Sequence, residues 1–377
     1  TRSRQVTGVQ TCALPIFASH IDSPRLDLKQ LPLYESEGVA LGKTHYYGGL
    51  RKYQWAAMPL ALHGVVALKD GATVQVKVGE SEGDPVFYIS DLLPHLAAKQ
   101  NQKPLGNAIE GEQLNIWFGN IPYTAATEDD EKTVKNHVLH LLHDKYGITE
   151  ADFMSAELSM VPAFKAKDVG FDRALLGSYG HDDRVCAYPA WKACLDETSD
   201  RHTVMIVLAD KEEIGSEGTT GMQSAIFTDL IDELAASFGV SSAAIRAHSK
   251  CLSADVTAAY DPNYPEVCEK NNSVFLSCGA GIMKFTGARG KSGSNDANAE
   301  FLAYLRNLFD ENGVVWQTGE LGKVDEGGGG TVAKFIAKFN IDTVDIGVPV
   351  ISMHSPWEVV SKADLYENYL AFKAFIK

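Results

Sequence analysis

The sequence lacks the features of membrane, disulfide-rich and nucleic-acid-binding proteins. No apolar run reaches the roughly 18 residues that a membrane-spanning helix needs. Its six cysteines form no CxxC pair, so we expect reduced thiols and a cytoplasmic protein. Lys and Arg total 34 against 49 Asp and Glu, giving a net charge of −15. This acidic balance disfavours nucleic acid or an anionic membrane as a partner.

Three catalytic signatures are also missing from the chain. It contains no HExxH, no GxxxxGK and no GxSxG sequence. These absences argue against single-zinc proteases of that type, P-loop enzymes and serine hydrolases. Because the cysteines are scattered, thiolate-bound zinc is not expected either, and any metal site would have to use histidine and carboxylate ligands.

The first sixteen residues differ from the rest of the chain. Residues 1–16 show neither periodicity nor the apolar segment of a signal peptide. We expect them to be a foreign or artefactual leader outside the fold, similar to translated sequencing-adapter sequence. On this interpretation the natural start, upstream of Phe17, is missing. Losing a core element beside His20 would cost several kcal/mol, which would endanger folding and activity.

After Phe17, strand patterns alternate with helix patterns, which predicts an α/β fold with a mostly parallel sheet flanked by helices. We expect residues 17–35 and 153–377 to form one discontinuous catalytic domain. The β-rich block 36–152 breaks the alternation and is interpreted as an inserted domain. The predicted strands of the α/β part are 203–209, 252–256, 314–318 and 345–352. The predicted helices are 130–146, 221–238, 331–339 and 362–377.

Two adjacent glutamates, Glu212 and Glu213, follow the apolar run at 203–209. Neighbouring residues at a strand end project in different directions, so one carboxylate can bind a metal while the other transfers a proton. Further histidines and carboxylates lie in four other short motifs. These are HID at 20–22, DD at 182–183, SAD at 253–255 and MHS at 353–355. Together they supply the ligand types that a two-metal hydrolase requires.

Taken in order, these motifs resemble the aspartyl aminopeptidase and aminopeptidase I family of dinuclear zinc metallopeptidases, in its bacterial branch. The resemblance extends from Phe17 to the C-terminus. The segments that carry it are SHIDSPRL at 19–26, THYYGGL at 44–50, SYGHDDRVCAY at 178–188, DKEEIGS at 210–216, SAD at 253–255, PNY at 262–264 and SMHS at 352–355.

The resemblance implies a role for each matching residue. The implied metal ligands are His20, Asp182, Glu213, Asp255 and His354. Asp182 would bridge two zinc ions, with His20 and Asp255 on the first ion and Glu213 and His354 on the second. Asp22 would orient the His20 imidazole. Glu212 would be the general base. Manganese or cobalt also suits such ligands.

The implied activity is removal of single residues from peptide N-termini, with acidic or neutral first residues both open. Lys284 is a candidate for contact with the substrate side chain, and His95 for reaching a neighbouring subunit's site. The resemblance also implies a homo-oligomer, with dimers formed through the inserted domain and assembled into a dodecamer. Two alternatives remain: another dinuclear zinc hydrolase, either a deacylase or a carboxypeptidase, and an inactive shell or binding protein.

Overall fold

A computed structural model describes residues 13–124, 133–199 and 201–377. The strands are β1 (Pro15–His20), β2 (Arg25–Ser36), β3 (Val39–Tyr47), β4 (Leu60–Ala67), β5 (Thr73–Val78), β6 (Ile116–Gly119), β7 (Ala156–Pro162), β8 (Lys167–Val169), β9 (Leu175–Ser178), β10 (Met205–Ala209), β11 (Lys250–Ala254), β12 (Thr257–Ala258), β13 (Ala280–Met283), β14 (Trp316–Thr318), β15 (Asp342–Gly347), β16 (Pro349–Ile351) and β17 (Glu358–Ser361). The helices are α1 (Val134–Tyr146), α2 (His181–Asp196), α3 (Ile226–Phe238), α4 (Ser242–His248), α5 (Ala299–Glu311), α6 (Ala333–Ala337) and α7 (Lys362–Ile376).

The chain divides into two compact units. Unit 1 contains the described residues up to Ser23, together with Ala166–Met353 and Trp357–Lys377. Unit 2 contains Pro24–Lys165 and His354–Pro356. These boundaries differ from the predicted ones at residues 35 and 152. The reason is strand pairing: β2 pairs with β3 and β7, and β7 also pairs with β4, so all of these strands belong to the sheet of unit 2.

A six-stranded sheet forms the centre of unit 1. Its strand order is β10-β1-β11-β15-β13-β14. All neighbouring pairs are parallel except β13 with β15. The predicted mostly parallel α/β fold is therefore confirmed. β1 lies between β10 and β11, with His20 opposite Ala209 and Ala18 opposite Ser253.

Both faces of this sheet are buried. Successive residues of β1 point to opposite faces, and the residues on each face pack into a different core cluster. Phe17 packs edge-on against Phe372 and Phe375 of α7, with ring centroids 5.3 and 5.6 Å apart. Ile16 belongs to a separate core cluster that includes Ile231 of α3. Helices thus contribute to the cores on both faces, as expected for parallel strands linked by helices.

The expectation that all of residues 1–16 lie outside the fold is wrong at the C-terminal end of that segment. Leu14 is 1% exposed and Ile16 is 0% exposed. The Leu14 N–H donates to Ser249 Oγ at 2.9 Å, and its carbonyl accepts from the Lys250 N–H at 3.2 Å. The short apolar run LPIF supplies β1 and its approach. Residues 1–12 lie outside the described residues.

Unit 1 also contains a five-stranded sheet of order β12-β16-β17-β9-β8. β17 and β9 are antiparallel, and Glu358 at the start of β17 is paired with Ser178 at the end of β9. This pairing places a buried glutamate next to the loop that leads into α2.

Unit 2 is built on an antiparallel sheet of order β5-β4-β7-β2-β3-β6. Helix α1 packs Val134 and Val138 against Leu33 and Ala40 of this sheet. The helix begins after Thr133, whose hydroxyl accepts from the Asn136 N–H. Among the described residues, no helix has the length and apolarity to cross a membrane.

Candidate metal centre

Three adjacent strands of unit 1 end at one edge of the six-stranded sheet. β10, β1 and β11 are parallel neighbours, so their C-terminal ends lie side by side. His20 is the last residue of β1, and Asp255 directly follows β11. Glu212 and Glu213 lie in a single 3₁₀ turn after β10. Parallel α/β sheets place binding sites at this edge.

Two further carboxylates, Asp182 and Asp183, enter from the start of α2. Their backbone angles are not helical, and the peptide bond between them is cis. Gly180 precedes them with a φ of 73°, in the left-handed region. A Cβ at this position would lie 2.8 Å from Arg184 Nη1 and 3.2 Å from Ser23 Oγ. Glycine therefore permits the close approach of this turn to the end of β1.

The imidazole of His20 lies at the centre of the carboxylates. Its Nε2 is 3.1 Å from Asp182 Oδ1 and 4.0 Å from Asp255 Oδ1. Two groups of possible metal ligands meet at this residue. One group is His20, Asp183 and Asp255, and the other is His20, Asp182 and Glu213. Within each group the ligand atoms lie within 4.8 Å of one another, close enough to surround a cation.

Asp22 contacts the opposite side of the imidazole. Its Oδ1 is 3.3 Å from His20 Nδ1, and its carbonyl oxygen is 3.0 Å from the same nitrogen. Its carboxylate also accepts the backbone N–H groups of Glu212 and Glu213, at 3.1 and 3.2 Å. Asp22 thereby fixes the imidazole and the turn that carries both glutamates. Contacts of this kind orient the imidazole in histidines that bind metals.

Burial and like charge act together in this cluster. Burial raises the pKa of Asp183 and of Asp255 well above the usual value, and Asp182 adds to the rise at both. For His20, burial lowers the pKa, but Asp182, Asp22 and the other carboxylates outweigh it and raise the pKa well above normal. The cluster thus favours extra positive charge, whether a proton or a metal ion.

The structure brings most of the predicted site residues together, but not all of them. His20, Asp22, Asp182, Glu213 and Asp255 form the cluster described above. Glu212 is half-buried, and its charge contributes to the raised pKa of Asp255. Lys284 is exposed just after β13. His95 and His354 belong to unit 2. His95 lies on an exposed 3₁₀ turn. The Nδ1 atom of His354 is 2.9 Å from the Gly49 carbonyl oxygen. The roles of all these residues stay predictions.

Several residues that contact the cluster were not predicted to have a role in it. Asp183 is completely buried, and its Oδ2 accepts from the Ser19 hydroxyl and from the His20 N–H at 3.3 Å. Glu358 and Ser23 contact the backbone of Asp182. The Asp182-Asp183 pair was visible as a motif. No spacing signal connects Ser23 or Glu358 to it, because they meet only in the fold.

A buried histidine among carboxylates at the C-terminal edge of a parallel sheet is typical of a metal-dependent α/β enzyme. The chain belongs to the aminopeptidase I zinc metalloprotease family (M18), whose family model matches residues 8–376. The predicted resemblance is therefore confirmed, and with it the assignment of the chain as a metal-dependent aminopeptidase, a hydrolase of the exopeptidase type.

Relatives of known structure support this assignment. The chain is 50% identical over 365 residues to the probable M18 family aminopeptidase 1 of Clostridium acetobutylicum, covering 96% of this chain and 78% of that protein. The crystal structure of the Thermotoga maritima M18 aminopeptidase superposes with a TM-score of 0.93 at 43% identity, covering 98% and 82%. That of C. acetobutylicum aminopeptidase I has the same TM-score at 46% identity, covering 98% and 80%.

Proposed function

We propose that the protein hydrolyses the first peptide bond of peptide substrates at a pair of zinc ions. The five ligands would be His20, Asp182, Glu213, Asp255 and His354. The observation that carries this proposal is the meeting of two groups of ligand atoms at His20, each spanning no more than 4.8 Å. Together the groups supply one imidazole and four carboxylates, which suit two metal ions about 3.5 to 4 Å apart with the Asp182 carboxylate as the bridge.

The residues of the cluster fit zinc. Imidazole nitrogen and carboxylate oxygen are both zinc ligands, with bonds of about 2.0 to 2.2 Å. The raised pKa values of Asp183 and Asp255 reflect the cost of burying several carboxylates together. A divalent cation would offset that cost. Zinc, when bound at such a site, polarises the scissile carbonyl and lowers the pKa of water to about 7.

The two adjacent glutamates, Glu212 and Glu213, would have different roles, one in proton transfer and one in metal binding. Glu213 belongs to a ligand group with His20 and Asp182, whereas Glu212 lies outside both groups. Their backbone N–H groups are held by one carboxylate, that of Asp22. This geometry supports Glu213 as a ligand and Glu212 as the general base. Glu212 would take the proton of the attacking water and return it to the leaving amine.

The proposed partners are small peptides and other copies of this chain. Lys284 and His95 remain proposed contacts for the substrate. S. cerevisiae mApe1, solved as a dodecamer, is 22% identical to this chain and superposes with a TM-score of 0.75. At 22% identity this comparison supports a shared fold and nothing more. Dimerisation through unit 2, a dodecamer and a cytoplasmic location therefore stay proposals.

Hydrolysis of Leu-, Asp- and Glu-nitroanilides, with N-acetyl-leucine nitroanilide as comparator, tests the proposal. We expect turnover of the free aminoacyl substrates, loss of turnover on chelation and recovery on adding zinc. The ranking of the three substrates gives the specificity. Preferential cleavage of the acylated substrate would favour the deacylase alternative. No turnover by a folded, zinc-loaded sample would favour the inactive shell.

A further inference from the structure

The backbone of Asp182 is held on both sides by side chains distant in sequence. Its N–H donates to Glu358 Oε2 at 3.2 Å, and its carbonyl accepts from Ser23 Oγ at 2.7 Å. Glu358 and Ser23 are each 1% exposed. These contacts lie at the start of α2, where the backbone of Asp182 is not helical. Two buried side chains therefore contact both polar groups of its backbone.

Glu358 is itself well fixed. It begins β17 and is paired with Ser178, the last residue of β9. The preceding residue, Trp357, covers β9: a Cβ on Gly177 would lie 2.5 Å from Trp357 Nε1. Ser23 follows β1 by three residues. Residues next to both unit 1 sheets therefore contact Asp182. The Oδ1 atom of Asp182 is 3.1 Å from His20 Nε2.

We propose that Glu358 and Ser23 are positioning residues that hold the Asp182 backbone so that its carboxylate faces the zinc site. The inference rests on the proposed role of Asp182 as a metal ligand. Glu358 is not a member of either ligand group, and both residues would act through the Asp182 backbone. Residues that orient metal ligands typically change metal affinity about 10- to 100-fold when removed.

A buried glutamate beside other carboxylates is costly for the fold, because each additional negative charge disfavours the others. The burial of Glu358 beside the ligand cluster is explained if its Oε2 atom holds the proposed ligand Asp182. The proposed zinc ions would then offset its negative charge.

The same unit contains a matched control for a purely structural role. Asp364 in α7 is also buried, and its carboxylate accepts the backbone N–H groups of Ser277 and Gly279, both at 2.7 Å. Those residues are not proposed to bind metal. Asp364→Ala should therefore lower thermal stability without altering zinc affinity, whereas the proposed positioning residues should alter zinc affinity.

The experiment measures zinc affinity by competition with a chromogenic chelator, on full-length protein stripped and reloaded with zinc. The variants are Glu358→Ala, Glu358→Gln, Ser23→Ala, Asp364→Ala and Asp182→Asn, and folding of each metal-free protein is checked by circular dichroism. We expect Glu358→Ala to bind zinc about 10- to 100-fold more weakly. Glu358→Gln keeps a carbonyl acceptor for the Asp182 N–H and should bind zinc like the wild type.

Each outcome has a separate meaning. If Glu358→Ala keeps wild-type zinc affinity while Asp182→Asn loses it, the positioning role is wrong and the ligand role stands. If Asp182→Asn keeps wild-type affinity, the proposed ligand role fails and the inference falls with it. A Gln variant as weak as the Ala variant would contradict the hydrogen-bond basis. Should Glu358→Ala not fold, unchanged zinc affinity in Ser23→Ala would overturn the proposal.

Discussion

Carboxylates on the surface of unit 2 and those buried around His20 in unit 1 have opposite surroundings. In unit 2, Glu110 and Glu112 are exposed and pair with Lys103 and Lys29, at 2.9 and 2.7 Å. Hydrogen bonds to these lysines lower the pKa of each glutamate. In unit 1, burial raises the pKa values of Asp183 and Asp255, and their neighbours include other carboxylates. The first arrangement is that of an ordinary solvated surface, and the second is suited to a cation.

This difference explains why net charge is a poor guide to the site. The chain carries a formal charge of −15, yet most of its acidic groups say nothing about metal binding. The informative carboxylates are those that the fold removes from water and places beside one histidine. Substitutions of exposed and of buried carboxylates, compared with each other, therefore test this difference. Substitutions in the core beside the site test the packing that supports it.

The largest effect is expected from the adjacent glutamates of the 3₁₀ turn. Glu212→Gln should reduce kcat about 10²- to 10⁴-fold with zinc content unchanged, because general-base catalysis contributes on that scale. Glu213→Gln should instead lower the zinc content. Steady-state kinetics and zinc analysis distinguish the two. Glu217→Gln, on an exposed residue of the same segment, is the control; equal zinc loss in both test variants would contradict the division of roles.

The packing beneath the site comes next. Leu14→Ala removes a side chain that is 1% exposed beside β1, and should destabilise the protein by about 2 to 5 kcal/mol. The matched control is Leu31→Ala in unit 2, where the leucine is 71% exposed. Denaturant unfolding measures both. Equal stability of the two variants would mean that the segment before β1 adds nothing to the core.

A third prediction concerns a buried carboxylate away from the proposed ligands. Asp345 in β15 accepts from Thr331 Oγ1 at 2.7 Å, and burial raises its pKa to about 6. A raised acid pKa destabilises the folded state as the pH rises from about 4 to 6, by about 3 kcal/mol in total. Asp345→Asn should remove that loss, so its stability relative to wild type should increase with pH.

Unfolding free energies of wild type and Asp345→Asn, compared between about pH 5 and pH 8, check this prediction. The interval contains roughly half of the expected change. A stability difference that is constant with pH would show that Asp345 titrates normally in the fold.

The smallest effect is expected on the surface of unit 2. Glu112→Gln removes the partner of Lys29, but exposed ion pairs contribute little to stability. The melting temperature and zinc content should both stay at wild-type values. A clear loss of zinc on this substitution would contradict the contrast between the two units.

The sequence predicted several strands and helices of the α/β fold close to their observed positions. The strand expected at 203–209 is observed at Met205–Ala209, and the helix at 362–377 as Lys362–Ile376. Residues 85–93, in the block interpreted as β-rich, form no strand in the described structure, where Phe87 makes an isolated bridge to Leu60. Short β-like runs are ambiguous because tertiary pairing decides whether a strand forms.

Three helices were not predicted, α2, α4 and α5. α5 buries Phe301, Leu305 and Phe309 at helical spacing, so its pattern was readable in the sequence. α2 was harder to predict, because it begins with the non-helical Asp182 and Asp183 and contains Pro189. Both features oppose helix formation locally, and packing against α7 and β1 overrides them.

The candidate site was more predictable than its surroundings. Residues at the ends of neighbouring parallel strands, such as His20 and Asp255, meet at one edge by the rules of sheet topology. Glu358 could not be found in this way, because it contacts Asp182 across 176 positions of sequence. Single-sequence patterns carry information about elements and their ends, whereas contacts between side chains depend on the assembled fold.

The central claim is that the buried carboxylates around His20 form a two-zinc site. Anomalous diffraction at the zinc edge, from crystals of the zinc-loaded protein, tests it most directly. We expect two peaks per subunit about 3.5 to 4 Å apart, both in contact with Asp182. A single peak, or two peaks that Asp182 does not bridge, would contradict it.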